Sequence, residues 1–279
     1  MMKLSFSSLG NPKLPIEQFA ALVKAAGYDA MELRGRPGEH VHWQDGPDRR
    51  SEVKRIFADA GLEILSVSTY VFIANRDAGG PTRTDTRDEP GNIEELKRWV
   101  DLAGDLGARN VRVFGGGLSA GETHQDALSR VARIMDAAAG VNPAINVALE
   151  SHDVWNTGKI VGAVLAATTR PNCKCIWDIG GSGEGGDTPQ EFLKAVPPER
   201  ITYLHVKDHF KLPDGKMYGC LLGAGELSLA KTVSLLKKAG WAGHLNFEWE
   251  GVYNAYMPPV EVAIVQGAMK LRELVGEQA

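Results

Sequence analysis

Four short segments each end an apolar, β-rich run on a residue able to ligate a metal. They are Val147-Ala148-Leu149-Glu150, Cys175-Ile176-Trp177-Asp178, Tyr203-Leu204-His205 and Asn246-Phe247-Glu248. Three carboxylates and one imidazole make an oxygen-rich donor set, which favours Mn²⁺ or Mg²⁺, with Zn²⁺ or Co²⁺ as further fits. Carboxylates gathered without a cation would repel and raise one another's pKa, and a divalent ion removes that cost. Any one of the four alone reads equally well as a structural ion pair or a solvated loop carboxylate. Four at matching strand ends argue for one site, with Glu150, Asp178, His205 and Glu248 as metal ligands.

Such a site needs strands that end together. Short β-rich runs alternate with helical runs along the chain, and the predicted strands are 3–7, 28–33, 63–69, 110–114, 146–150, 174–178, 201–206 and 244–249. The predicted helices are 15–26, 51–60, 92–106, 125–139, 157–168, 189–195, 228–239 and 259–275. Pro15 near a helix start and Gly27 after its end mark one of them. Ile93, Leu96, Val100 and Ala103 share one helix face, with Asn92 as the expected cap. Eight βα units fit one (β/α)₈ TIM barrel in the α/β class. A doubly wound sheet is the alternative, but no Gly-x-Gly-x-x-Gly follows the first strand. No linker interrupts the pattern, so residues 1–279 are read as a single domain. The polar stretch from Ala74 to Gly91 follows strand three on the presumed active face and reads as a mobile lid or as a solvated insertion.

Alternate residues of a strand share a face. That places Asn146, Ala148 and Glu150 together, then Lys174, Ile176 and Asp178, then Tyr203, His205 and Lys207. Asn246, Glu248 and Glu250 form a further set, as do Ala30, Glu32 and Arg34. The interleaved Leu149, Trp177, Leu204, Val206, Phe247 and Trp249 suit packing under outer helices. The inward sets turn polar toward the C-terminal strand ends, where a TIM barrel carries its chemistry.

The net charge of −4 gives no electrostatic case for nucleic acid or an anionic membrane. No apolar run reaches the roughly 20 residues of a membrane span, and the N-terminal residues read as a strand rather than a signal peptide. Cytoplasmic localisation is the expectation. Cys173, Cys175 and Cys220 have neither a disulfide-framework nor a zinc-ribbon spacing, and the first two read as small core residues.

The chain resembles the sugar phosphate isomerase/epimerase family, with its xylose-isomerase-like barrel, over nearly its whole length. The marks are Leu149-Glu150-Ser151-His152, His205-Val206-Lys207-Asp208 and Gly223-Ala224-Gly225-Glu226, followed by a helix and Gly243-His244-Leu245-Asn246-Phe247-Glu248. In members similar to ketose 3-epimerases, metal ligands fall at the positions of Glu150, Asp178, His205 and Glu248, and the two glutamates are also the catalytic acid/base pair. The resemblance implies enolising chemistry on a small-molecule sugar. A proton next to a carbonyl is removed, the metal stabilises the developing enediolate, and Glu150 and Glu248 serve opposite faces. Lys207 is a candidate substrate-binding residue, with a salt bridge to Asp208 or Glu32 as the plainer role. His152 would bind a substrate hydroxyl or support a metal ligand. Glu32 and Arg34 would orient substrate or pair at the rim. Relatives are often dimers or tetramers, so a homo-oligomer is a further expectation.

The chain departs from the family where many members have Asp-x-x-His after strand six. Here the run is Asp178-Ile179-Gly180-Gly181. The missing histidine weakens transfer of a particular sugar specificity. It also counts against the DNA-repair branch of the fold, as do the tops of strands three and four, Ser68-Thr69-Tyr70 and Phe114-Gly115-Gly116. Two other activities compete. One is a metal-dependent lyase, dehydratase or eliminating deglycosidase on an oxidised sugar or cyclitol, using the same base. The other is a non-catalytic sugar binder, against which the complete acid/base pair argues.

Overall fold

Each strand of the barrel carries two kinds of side chain, and the fold separates them. The computed structural model describes residues 1–74 and 89–276. The strands are β1 (Lys3–Ser7), β2 (Ala30–Arg34), β3 (Glu63–Phe72), β4 (Asn110–Phe114), β5 (Asn146–Glu150), β6 (Cys173–Asp178), β7 (Ile201–Val206), β8 (Asp208–Lys211), β9 (Met217–Cys220) and β10 (His244–Phe247). Eight of them close into a parallel barrel in the order β1-β10-β7-β6-β5-β4-β3-β2. Ala30, Leu65, Ala148, Ile176 and Tyr203 fill its interior as one buried cluster. Leu149, Trp177, Leu204, Val206, Phe247 and Trp249 belong to the larger core between strands and helices. The alternation read from the sequence is therefore the alternation in the structure. Cys173 and Cys175 are buried, free thiols.

The outer layer comprises α1 (Ile16–Ala25), α2 (Pro47–Ala60), α3 (Glu89–Leu106), α4 (His124–Ala139), α5 (Gly158–Ala167), α6 (Ile179–Glu184), α7 (Pro189–Ala195), α8 (Leu229–Lys238) and α9 (Val260–Val275). Reciprocal capping boxes start two of them, Thr123 with Asp126 on α4 and Thr188 with Glu191 on α7. Gly61 ends α2 at φ 64°, a conformation that costs glycine little.

Several expectations need correcting. Helix α3 begins at Glu89, so Asn92 lies inside it. Asn92 is buried and donates from Nδ2 to the Phe72 carbonyl at 3.5 Å. Strand β3 runs on to Phe72 and β10 stops at Phe247. The antiparallel pair β8–β9 and the short helix α6 were not expected. Most of the stretch read as a lid or an insertion, residues 75–88, lies outside the described residues.

Candidate metal centre

The four expected ligands stand on consecutive staves. Glu150 ends β5, Asp178 ends β6, His205 is on β7, and Glu248 follows β10 directly. Asp178 and His205 are register partners. All four are buried, and one ligating atom from each lies within 4.8 Å of the others. Opposite donors on one ion at ~2.0–2.3 Å stand about 4–4.6 Å apart, so the set is close to the spacing one ion needs.

His205 is the hinge of the cluster. Nδ1 lies 2.7 Å from Glu150 Oε1 and 3.3 Å from Glu248 Oε2, and Nε2 lies 2.8 Å from Glu32 Oε2. With carboxylates on both sides, both ring nitrogens donate. Burial alone would push the imidazole pKa down, but Glu248, Glu32 and Glu150 hold it well above its ordinary value. A metal would replace the Nδ1 proton, while Nε2–H keeps its bond to Glu32 and so sets the tautomer.

That bond changes the place of Glu32. The side chain is 1% exposed and, besides His205, accepts from Tyr203 Oη and Ser7 Oγ. Burial would raise its pKa, but His205 and Arg112 bring it down to about 2. No rim pair forms with Arg34. Arg34 instead pairs with Glu39 at 2.8 Å and donates to Tyr253 Oη at 3.0 Å. The salt bridge considered between Lys207 and Asp208 or Glu32 is also replaced. Lys207 Nζ lies 3.0 Å from Asp178 Oδ2, 2.6 Å from Glu248 Oε2 and 2.7 Å from Glu250 Oε1. Burial would lower its pKa, and these carboxylates raise it well above the ordinary lysine value. Glu248 moves in the opposite sense: burial would raise its pKa, but His205 and Lys207 hold it well down.

Arg112 on β4 was not among the sequence candidates. Its guanidinium, almost wholly buried, lies 3.2 Å from Glu150 and 3.7 Å from Glu248. The signal was present in Asn110, Arg112 and Phe114, a polar–charged–aromatic face on an otherwise apolar strand. The buried carboxylates of Glu32, Glu150, Asp178 and Glu248 thus outnumber the cations Arg112, Lys207 and His205. Glu150 Oε2 is buried and accepts no hydrogen bond among the described residues, and the Arg112 guanidinium at 3.2 Å is its charged neighbour. An excess of buried carboxylates over cations fits a divalent cation.

His152 stands at the mouth, half-exposed, with Nδ1 3.0 Å from Asp153. Burial of the ring would lower its pKa, but Asp153, Glu150 and Asp178 outweigh that and raise it to about 9.

The family marks now have physical roles. Asp178 caps α6, its Oδ1 accepting from Gly180 N at 2.8 Å and Gly181 N at 3.1 Å, which leaves Oδ2 toward the cluster. A Cβ at Gly181 would sit 2.5 Å from the Ser151 carbonyl oxygen, so the histidine common at this position does not fit this backbone. Asp208 gathers the Gly223–Leu227 turn. It accepts from the backbone N–H groups of His209, Gly223, Gly225 and Leu227 at 2.8–3.2 Å. A Cβ at Gly225 would lie 2.3 Å from Asp208 Oδ1, so glycine is required where the turn closes on that carboxylate.

No helix among the described residues is long and apolar enough to cross a membrane. A search of curated proteins finds no match to the chain. Among solved structures it is similar to a zinc-bound IOLI protein at 20% identity and TM-score 0.78, covering 99% of this chain and 98% of that one. It is similar to the probable 3-DHS dehydratase AsbF of Bacillus anthracis, described as involved in petrobactin synthesis, at 20% identity and TM-score 0.72, covering 98% and 99%. It is similar to an L-ribulose 3-epimerase at 19% identity and TM-score 0.69, covering 100% and 99%. It also matches a xylose isomerase-like TIM barrel/4-hydroxyphenylpyruvate dioxygenase fusion protein at 19% identity and TM-score 0.76, spanning 42% of that chain and 98% of its own length. At these identities the likeness is one of fold. Residues 20–274 match the family described as xylose isomerase-like TIM barrel, and the chain belongs to that family.

Proposed function

We propose that the protein is a divalent-metal-dependent isomerase or epimerase of a keto sugar or related polyol, working as a single barrel domain through proton abstraction next to a carbonyl. The observation that carries this is the approach of Glu150 and Glu248 to one His205 nitrogen, at 2.7 and 3.3 Å, within a four-residue cluster able to hold a metal. A divalent ion bound there supplies Lewis-acid stabilisation of negative charge on the substrate oxygens. Mn²⁺ or Mg²⁺ suits three carboxylates, and the zinc in a structural neighbour keeps Zn²⁺ in view.

The remaining steps belong to side chains. Glu150 removes or returns the proton on one face and Glu248 on the other. Arg112 holds both carboxylates in place through contacts at 3.2 and 3.7 Å. Lys207, kept charged by Asp178, Glu248 and Glu250, donates to a substrate oxygen. His152 at the mouth hydrogen-bonds a hydroxyl, and Glu32 acts through His205. Arg34, tied to Glu39 and Tyr253, would orient substrate by fixing the Tyr253 side chain.

A second reading is favoured by the same lysine. A buried ammonium 2.6 Å from a glutamate base could protonate a leaving group, which suits elimination from an oxidised sugar or cyclitol. The family neighbourhood includes a probable dehydratase as well as an epimerase. Product analysis in deuterated water separates the two. Epimerisation yields a product of unchanged formula apart from deuterium, whereas elimination yields a new unsaturation and a released group. Glu150→Gln and Glu248→Gln should each abolish turnover with the fold retained, and full activity in either would remove the mechanism.

A further inference from the structure

The carboxylate cluster stands where two cavities of unlike chemistry meet. They share His152, Asp153, Glu248 and Glu250. The first, of about 330 Å³, is lined by polar groups that include Asp178, Lys207, Asp208 and His209, which suits a ligand rich in hydroxyls. The second, of about 380 Å³, is walled by Tyr70, Phe72, Phe114 and Tyr253, with Arg112 and Glu150 at the cluster side.

The aromatic wall is organised. The Phe72 and Phe114 rings stack with centroids 5.2 Å apart and planes 14° apart, and Tyr70 lies 5.9 Å from Phe114. The Arg112 guanidinium carbon sits 4.2 Å from the Phe114 ring centre, and that of Arg34 sits 4.8 Å from Tyr70 and 5.7 Å from Tyr253. Such cation–ring contacts hold the rings in place before any ligand arrives. Gly116 and Gly117 complete the lining without side chains, and a Cβ at Gly116 would sit 3.0 Å from the Phe72 ring. Away from the cluster side the rings offer only the Tyr70 and Tyr253 hydroxyls, 3.4 Å from each other, and the glycines offer no side chain, so a hydroxyl-rich group placed here would replace little of the water it loses. A flat, apolar group loses nothing and gains the ring faces.

We propose that the substrate has two parts, an oxidised sugar or cyclitol ring over the carboxylate cluster and an aromatic substituent seated among Tyr70, Phe72, Phe114 and Tyr253. Because Glu150 and Glu248 line the aromatic cavity too, the substituent is carried close to the carbon that loses its proton. The proposal rests on the enolising reading above and adds the substrate class to it.

The test uses a matched pair of probes, methyl and phenyl 3-keto-β-D-glucopyranoside, with calorimetric binding to the Mn²⁺-loaded protein. The phenyl probe should bind at least about tenfold tighter, since one aromatic contact changes an affinity by roughly 2- to 12-fold and several rings are present. Phe72→Ala and Tyr253→Ala should each shrink the phenyl-to-methyl ratio by about 2- to 10-fold. Tyr253 is more than half exposed, so its truncation opens no core and the test stands even if Phe72→Ala fails to fold. Equal binding of the two probes, no binding of either, or variants that leave the ratio unchanged would each overturn the proposal. Proton exchange in deuterated water with the same probes keeps the two readings apart. Exchange without phenyl preference overturns the aromatic subsite alone. Phenyl preference without exchange overturns the enolising chemistry and leaves the subsite.

Discussion

Replacing Glu32 by glutamine preserves the side chain's shape and removes its charge. In the native chain Oε2 accepts from Tyr203 Oη at 2.7 Å and from His205 Nε2 at 2.8 Å, while Oε1 accepts from Ser7 Oγ at 2.7 Å. A glutamine oxygen turned toward Tyr203 and His205 accepts both, and its amino group donates to Ser7. The variant loses the charge assistance of two buried bonds, about 1–3 kcal/mol together, and should fold. Glu32→Ala leaves the buried Tyr203 hydroxyl and His205 Nε2–H without their carboxylate acceptor and should cost about 3–5 kcal/mol. Metal affinity should respond to glutamine even though the fold does not, because the carboxylate that fixes a ligating histidine is worth about 10- to 100-fold. Calorimetric Mn²⁺ titration beside thermal melts reads both effects. A folded Glu32→Gln protein with native metal affinity would refute the claim that Glu32 presents His205 to a metal.

Two further predictions concern stability. Asp208→Asn sets an amide donor against the N–H groups of Gly223 and Gly225 and removes two charge-assisted bonds, so it should cost about 3 kcal/mol and lower Tm by about 5–10 °C, read by calorimetry. His244 is buried, its Nε2 finds no hydrogen-bond partner among the described residues, and burial lowers its pKa from 6.5 to about 4. The native state therefore binds fewer protons than the unfolded chain between those values. His244 should withdraw up to about 3 kcal/mol as pH falls from 6.5 to 4, and denaturant unfolding of His244→Gln should show a correspondingly shallower slope.

The barrel was legible because its strands carry two patterns at once. β1, β4, β5 and β7 have their expected limits, and the same alternation separated Leu149 from Glu150 and Leu204 from His205. The cluster of Glu150, Asp178, His205 and Glu248 was legible because each member stands at or beside the C-terminal end of a strand, so a local pattern brings them together. What escaped depends on contacts between distant residues. Arg112 looked like one polar interruption in an apolar strand until Glu150 and Glu248 came within reach of it. Glu32 and Arg34 sit two residues apart on one strand, but their partners lie on other elements, His205 and Tyr203 for one and Glu39 and Tyr253 for the other. Helix α6 is rich in glycine, which disfavours helix, and its first turn is held by the Asp178 cap. The β8–β9 strands are four residues each, too short for periodicity to separate from loop.

The most direct test of the account is the divalent metal content of the purified protein, followed by proton exchange in deuterated water against keto sugars after Mn²⁺ or Mg²⁺ is restored. The account predicts about one ion per chain, lost in His205→Ala, and exchange at a carbon next to the carbonyl that stops in Glu150→Gln. A protein that holds no metal, and exchanges no proton after metal is supplied, would contradict it.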